Sequence, residues 1–139
     1  MTTLKNLKGT AIQFLDADPV EYVGSWSSGG SVNTARQYGA GIGSSTAGLI
    51  FGGYKTPAPN ATNLVESWNG SSWTETTEIN TARNGGSGFG TQTSALAFGG
   101  ATPGSSSATE EYNGSTWSTT PATLNTARQE GASNGNVND

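Results

Sequence analysis

The tetrapeptide Asn-Thr-Ala-Arg begins at positions 33, 80 and 125, so it recurs after 47 and then 45 residues. Trp26, Trp73 and Trp117 keep the same beat, and the pairs Gly52-Gly53 and Gly99-Gly100 stand 47 apart. Landmarks that repeat in one order at one period constrain a fold strongly. Each repeat is a supersecondary unit that cannot bury its apolar face alone and must stack on its neighbours. Every unit opens with NTAR and a glycine-rich run. An apolar run follows ("AGLIFGG" or "SALAFGG"), then a loop, then "VESWNGSSW" or "TEEYNGSTW" and a Thr-rich close.

The period suits four short strands. In the second unit the pattern predicts strands over Arg83 to Gly90, Ser94 to Phe98, Ala108 to Tyr112 and Ser115 to Thr119, with a loop from Gly99 to about Ser107. Ala95-Leu96-Ala97-Phe98 shows little polar alternation, as expected of a strand covered on both faces. Asn113-Gly114 and Asn69-Gly70 predict type I′ hairpin turns, with both central residues at positive φ. Composition agrees. The chain has 21 Gly among 139 residues and only 12% charged residues, a balance that favours many turns over long helices.

Whole classes of chemistry drop out. The chain has no Cys and no His, which removes disulfides, thiolate nucleophiles and the commonest general base and metal ligand. The net charge of −4 argues against a nucleic-acid surface. The longest apolar run, Gly48 to Phe51, is too short to span a bilayer, and the N-terminus does not read as a signal peptide. No cofactor is expected.

A glycine pair ending the second strand, followed by an aromatic and a Trp five residues later, resembles the Kelch repeat. Gly52, Gly53, Trp68 and Trp73 carry that pattern in one unit, and Gly99, Gly100, Tyr112 and Trp117 carry it in the next. Tyr22 and Trp26 resemble a shortened earlier copy. Arg36, Arg83 and Arg128 fall where Kelch blades often place a basic residue before the first strand. Trp68 departs from the usual Tyr. The resemblance covers about residues 20–133 and implies an all-β fold, a partial Kelch-type β-propeller. It would have two full four-stranded blades plus flanking strands, after an extended N-terminal arm over 1–19. The repeat region, 20–139, divides into units at about 20–32 (partial), 33–79, 80–124 and 125–139 (partial). Propellers close with 4–8 blades, so the expectation is first that the chain is part of a longer protein, then that copies combine, with an open blade pair docked on a larger assembly as the third explanation.

The Gly/Ser/Thr-rich tandem units are also similar to Kelch-type repeats in virion proteins of marine bacteriophages. The opening "LKGTAIQFLDADP" is similar to attachment segments of phage fibre and decoration proteins. These resemblances imply a non-enzymatic virion structural protein, a tail or neck fibre component or a capsid decoration protein, whose partners are other virion proteins. Leu4, Leu7, Ile12, Phe14 and Leu15 would form the attachment surface of the arm. The alternative reading is a carbohydrate-binding propeller for host-surface recognition, with ligand on the loops Tyr54 to Thr62 and Ala101 to Ser107.

Single features read as structure. Asp16, Asp18 and Glu21 lack the further ligand positions and Gly of a calcium loop and read as a solvated segment. Glu66, and one of Glu110 and Glu111, read as solvent-facing strand residues. "SWNGSSW" lacks the Asp of a sialidase Asp-box. The Asn-Gly-Ser and Asn-Ala-Thr sequons at Asn69, Asn113 and Asn60 read as turn and loop chemistry rather than glycosylation sites. A galactose-oxidase-like copper enzyme would need the missing His and Cys. Trp26, Trp68, Trp73, Tyr112, Trp117, Phe51 and Phe98 are expected to fill the space between blades. Arg36, Arg83 and Arg128 are expected to hydrogen-bond carbonyls of a neighbouring blade.

Overall fold

The computed structural model describes residues 25–55 and 60–133, and the chain there is all-β with no helix. Its strands are β1 (Arg36–Gln37), β2 (Ala40–Gly43), β3 (Gly48–Phe51), β4 (Tyr54–Lys55), β5 (Asn60–Ala61), β6 (Val65–Trp68), β7 (Trp73–Thr76), β8 (Ser87–Gly90), β9 (Ala95–Phe98), β10 (Thr109–Tyr112) and β11 (Trp117–Thr119). They form three antiparallel sheets, ordered β2-β3-β6-β7, β8-β9-β10-β11 and β1-β4-β5. The two four-stranded sheets follow the two full repeat units. The small sheet pairs β1, in the first unit's lead-in, with β4 and β5, in its excursion between β3 and β6.

The strands of the second unit fall close to their expected places, with two instructive differences. β8 begins at Ser87, not Arg83, because Arg83 and Asn84 make isolated bridges to Thr62 and Ala101 instead. β11 begins at Trp117, since the hairpin loop holds four residues between the paired Tyr112 and Trp117. That loop is not a type I′ turn. Gly114 has positive φ but Asn113 does not, and the same holds for Gly70 and Asn69. The Asn side chain acts instead as an acceptor. Asn113 Oδ1 takes the amides of Ser115 and Thr116, and Asn69 Oδ1 takes those of Ser71 and Ser72. Asn competes well for local amides in this way.

The core lies between the two large sheets. Leu49, Phe51, Val65 and Ile79 from the first unit meet Ala95, Ala97, Tyr112 and Trp117 from the second. Phe51 reaches furthest across, its ring centroid 5.6 Å from that of Trp117, which stacks on Tyr112 at 4.9 Å. Gly88 makes room for it: a Cβ there would sit 2.6 Å from Phe51 Cζ. Burying such a ring is worth roughly 1.5–3 kcal/mol, so these contacts account for much of the cohesion between the units. β2 runs beside β8. Gln92 also crosses from the second unit to donate to the carbonyls of Gly48 and Trp68.

Four aromatics expected in this core take other positions. Trp26 is fully exposed, because residues 25–32 form no strand against which it could stack. Trp68 and Trp73 pair with each other, centroids 5.2 Å apart, half-buried on the face of the first sheet turned away from the second unit. Phe98 is half-buried too, tilted against Phe89 at 5.9 Å on the far face of the second sheet.

Candidate functional site

Each full unit closes its NTAR segment onto a single buried carboxylate. In the first, the Asn33 amide donates to Glu66 Oε2 at 2.6 Å, and the Thr34 amide donates to Oε1 at 3.2 Å. The Arg36 guanidinium completes the cradle with an ion pair to Oε1. In the second, Asn80 and Thr81 amides donate to Glu110 at 2.6 and 3.2 Å, and Arg83 pairs with Oε1. Three further donors of each Arg are occupied as well. Arg36 Nη1 donates to the carbonyls of Gly52 and Leu64, and Nε to that of Thr34. Arg83 repeats this with Gly99, Ala108 and Thr81. The Asn side chain ties the segment to the last strand, Asn33 to Trp73 O and Asn80 to Trp117 O.

Two expectations are corrected here. Glu66 does not face solvent but is 0% exposed, as is Glu110, while Glu111 is the one member of its pair that points outward, as expected. Strand alternation turns Glu66 and Glu110 inward, and only a charge partner makes that position tolerable. The guanidinium groups also bond carbonyls of their own unit, not of a neighbour. It is the arginine main chain that reaches the neighbour. Arg83 N donates to Thr62 O, and Gly53 N donates to Arg83 O at 2.8 Å. Arg83 therefore joins the units, its backbone on the first and its side chain in the second.

The same geometry explains the glycine pairs. The carbonyls of Gly52 and Gly99 receive the arginine of their own unit. The amides of Gly53 and Gly100 hold the main chain of the next one, Arg83 and Arg128. All four glycines have φ between 63° and 100°, and a Cβ on Gly52 would lie 2.6 Å from Arg83 O. Side chains are excluded there both by the backbone angle and by the approaching carbonyl.

The third NTAR is set in the same frame. Arg128 N donates to Ser106 O, and Gly100 N donates to Arg128 O. Two residues beyond each arginine, Tyr38, Gly85 and Glu130 share φ of 56°, 57° and 58°. They are linked in series, Gly85 N to Tyr38 O and Glu130 N to Gly85 O. The difference lies in the side chain. Arg128 is exposed, its Nε donates to Thr126 O, and among the described residues its Nη nitrogens meet no carboxylate.

A carboxylate holding three donors and sealed from water has no face for a substrate, so each cradle is structural rather than catalytic. Among the described residues there is no cluster of three or more Asp or Glu suited to a metal ion. Asp16, Asp18, Glu21, Tyr22 and the arm residues Leu4, Leu7, Ile12, Phe14 and Leu15 lie outside the described residues, as do positions 56–59 of the first loop. The glutamates were the site residues that sequence reasoning misplaced. The available signal was their constant offset, two residues before the aromatic at Trp68 and Tyr112.

No protein-family model matches the chain, and no curated protein matches it in sequence.

Proposed function

We propose that the chain is a non-enzymatic structural protein of a virion, a partial Kelch-type propeller in which the two sheets are blades and the N-terminal arm is the anchor. The observation that carries the reading is the Arg–Glu frame. Each full unit closes on itself through a buried Arg–Glu pair, and the Arg83 main chain ties the second unit to the first, which suits a stacked scaffold that displays loops. An extended apolar arm ahead of such a scaffold suits docking by strand addition to another protein's sheet edge. The role would be that of a tail or neck fibre component or a capsid decoration protein. Deleting residues 1–18 should free the protein from particles while its circular dichroism and melting stay unchanged. A truncated protein that still co-sediments with particles would overturn the anchor.

Glycan recognition at the host surface is the second reading. The loops at 54–62 and 101–107 differ in sequence between units whose frames share the same hydrogen bonds, and variable loops on a constant frame commonly carry binding. A glycan panel read by tryptophan fluorescence should then show saturable quenching, and flat responses throughout would remove this reading.

A further inference from the structure

The two outer faces of this chain are the two halves of its own internal interface. Inside the chain, Phe51 at the end of β3 packs over Gly88 and against Trp117 and Tyr112. Phe98 ends β9 as Phe51 ends β3, and it stands half-buried with Leu96 on the far face of the second sheet. At the opposite end of the molecule, Gly41, Trp68 and Trp73 hold the places in β2, β6 and β7 that Gly88, Tyr112 and Trp117 hold in β8, β10 and β11. They line a concavity of about 430 Å³ together with Ile42 and Ile50. Gly41 is telling. Among the described residues a Cβ there would meet nothing nearer than Leu49 O at 3.9 Å, so none of them requires a glycine. Its counterpart Gly88 is required, because a phenylalanine fills the space above it.

The terminal segment fits the same pattern. Residues 125–133 read NTARQEGAS, and residues 33–41 read NTARQYGAG, identical at seven of nine positions. The 125–133 segment is already docked on the second unit. Arg128 binds through Gly100 and Ser106, Glu130 through Gly85, and the Ser87 and Ser133 hydroxyls donate to Gly131 O and Gly88 O. It occupies the position from which a lead-in would reach the glutamate of a following sheet. Among the described residues its guanidinium meets none.

We propose that copies of this chain associate head to tail. The Leu96/Phe98 face of one copy seats on the Ile50/Trp68/Trp73 face of a second, residues 125–130 of the first replace residues 33–38 of the second, and Gly41 of the second stays in place beneath Phe98. Arg128 then binds Glu66 of the second copy in the cradle that Arg36 vacates. Exchanging one NTAR for another leaves the cradle's bonds unchanged, the low-cost condition for swapping an identical element. The net gain is the apolar area newly covered. The contact is heterologous, so it propagates until it closes, and 4–8 blades correspond to about two to four copies. The inference rests on reading the chain as a stacked repeat scaffold, but its test uses the isolated protein and is independent of any particle.

The experiment is light scattering of the purified full chain across a concentration series. The expected mass is a multiple of 14.1 kDa. Arg128→Ala should return it to a monomer with unchanged circular dichroism, because among the described residues of one copy that side chain bonds only Thr126 O. Since the chain has no cysteine, Phe98→Cys and Trp73→Cys variants can be mixed with a short thiol cross-linker. Cross-links should join 98 to 73 in the mixture and form in neither variant alone. A monomer at every concentration overturns the proposal, as does 98-to-98 linkage. An oligomer that survives Arg128→Ala overturns the exchange of NTAR segments.

Discussion

Arg83 sits with its main chain hydrogen-bonded to one repeat unit and its guanidinium paired to Glu110 in the next, 1% and 0% exposed respectively. The tie between units and the tie within a unit therefore pass through one residue. A buried ion pair is not in itself a source of stability, because desolvating both charges costs several kcal/mol each. Here the cost is offset by saturation. Glu110 accepts from Asn80, Thr81 and Arg83, and Arg83 donates to three carbonyls besides. What the pair adds is specificity, since no slipped register can satisfy all of those groups together.

Removing one partner leaves the other charge buried and alone, which typically costs about 3–5 kcal/mol. Arg83→Ala and Glu110→Gln should each lower the melting temperature by well over 5 °C, at roughly 3–5 °C per kcal/mol for this length. The double variant should cost less than the sum of the singles, because neither charge is then stranded. Calorimetry on the four proteins checks this. Strict additivity would mean that the two side chains are not coupled.

How much of this was legible in the sequence divides along physical lines. Strand positions, the order of elements and the role of NTAR as the lead-in to each unit followed from periodicity, because every unit carries the same local signals. The partner of NTAR was not legible in the same way. Glu66 and Glu110 lie 30 and 27 residues beyond their arginines, and a lone glutamate on a strand reads by default as solvated. The Asn-Gly turns failed for a different reason. Asn-Gly is a two-residue turn signal only when the strands pair up to its edges, and here the pairing stops at Trp68–Trp73 and Tyr112–Trp117. Phe98, Trp68 and Trp73 were misplaced because the repeat pattern gives every unit the same core face. It does not say which copies of that face find a partner.

Gly88 is a direct probe of the packing between units. A methyl there would lie 2.6 Å from Phe51 Cζ and 2.7 Å from Leu96 O. Gly88→Ala should cost about 1–3 kcal/mol by overpacking. Phe51→Leu removes the ring and should recover part of that loss in the double variant, although by itself it weakens the core. Denaturant unfolding of the four proteins gives the coupling. A Gly88→Ala protein with unchanged midpoint would mean that the ring does not lie over that glycine.

Gly52 tests the socket for the next lead-in. Its φ of 63° opposes any side chain, and so does Arg83 O, which would stand 2.6 Å from a Cβ at this position. Strain of that kind costs on the order of 1–3 kcal/mol. Gly52→Ala should destabilise the chain. It should also speed hydrogen exchange at the Gly53 amide, which donates to Arg83 O, more than at the Val65 amide in the centre of the first sheet. Uniform acceleration across both amides would show a global loss rather than a loosened joint.

The tryptophans should separate spectroscopically. Trp117 is 5% exposed and packed between Phe51 and Tyr112, whereas Trp26 stands fully in solvent. A buried indole emits to the blue and is shielded from ionic quenchers, and an exposed one is neither. Trp26→Phe should therefore remove much of the red-shifted, iodide-quenchable emission without changing the melting temperature, since the ring contributes no burial. Trp117→Phe should remove blue emission and lower the melting temperature, with a loss smaller than the roughly 3–5 kcal/mol typical of truncating a large core aromatic to Ala. The indole N–H of Trp117 has no hydrogen-bond partner among the described residues, so phenylalanine leaves none of their acceptors stranded and restores most of the ring contact. Loss of stability in Trp26→Phe comparable to that in Trp117→Phe would place Trp26 back in the core.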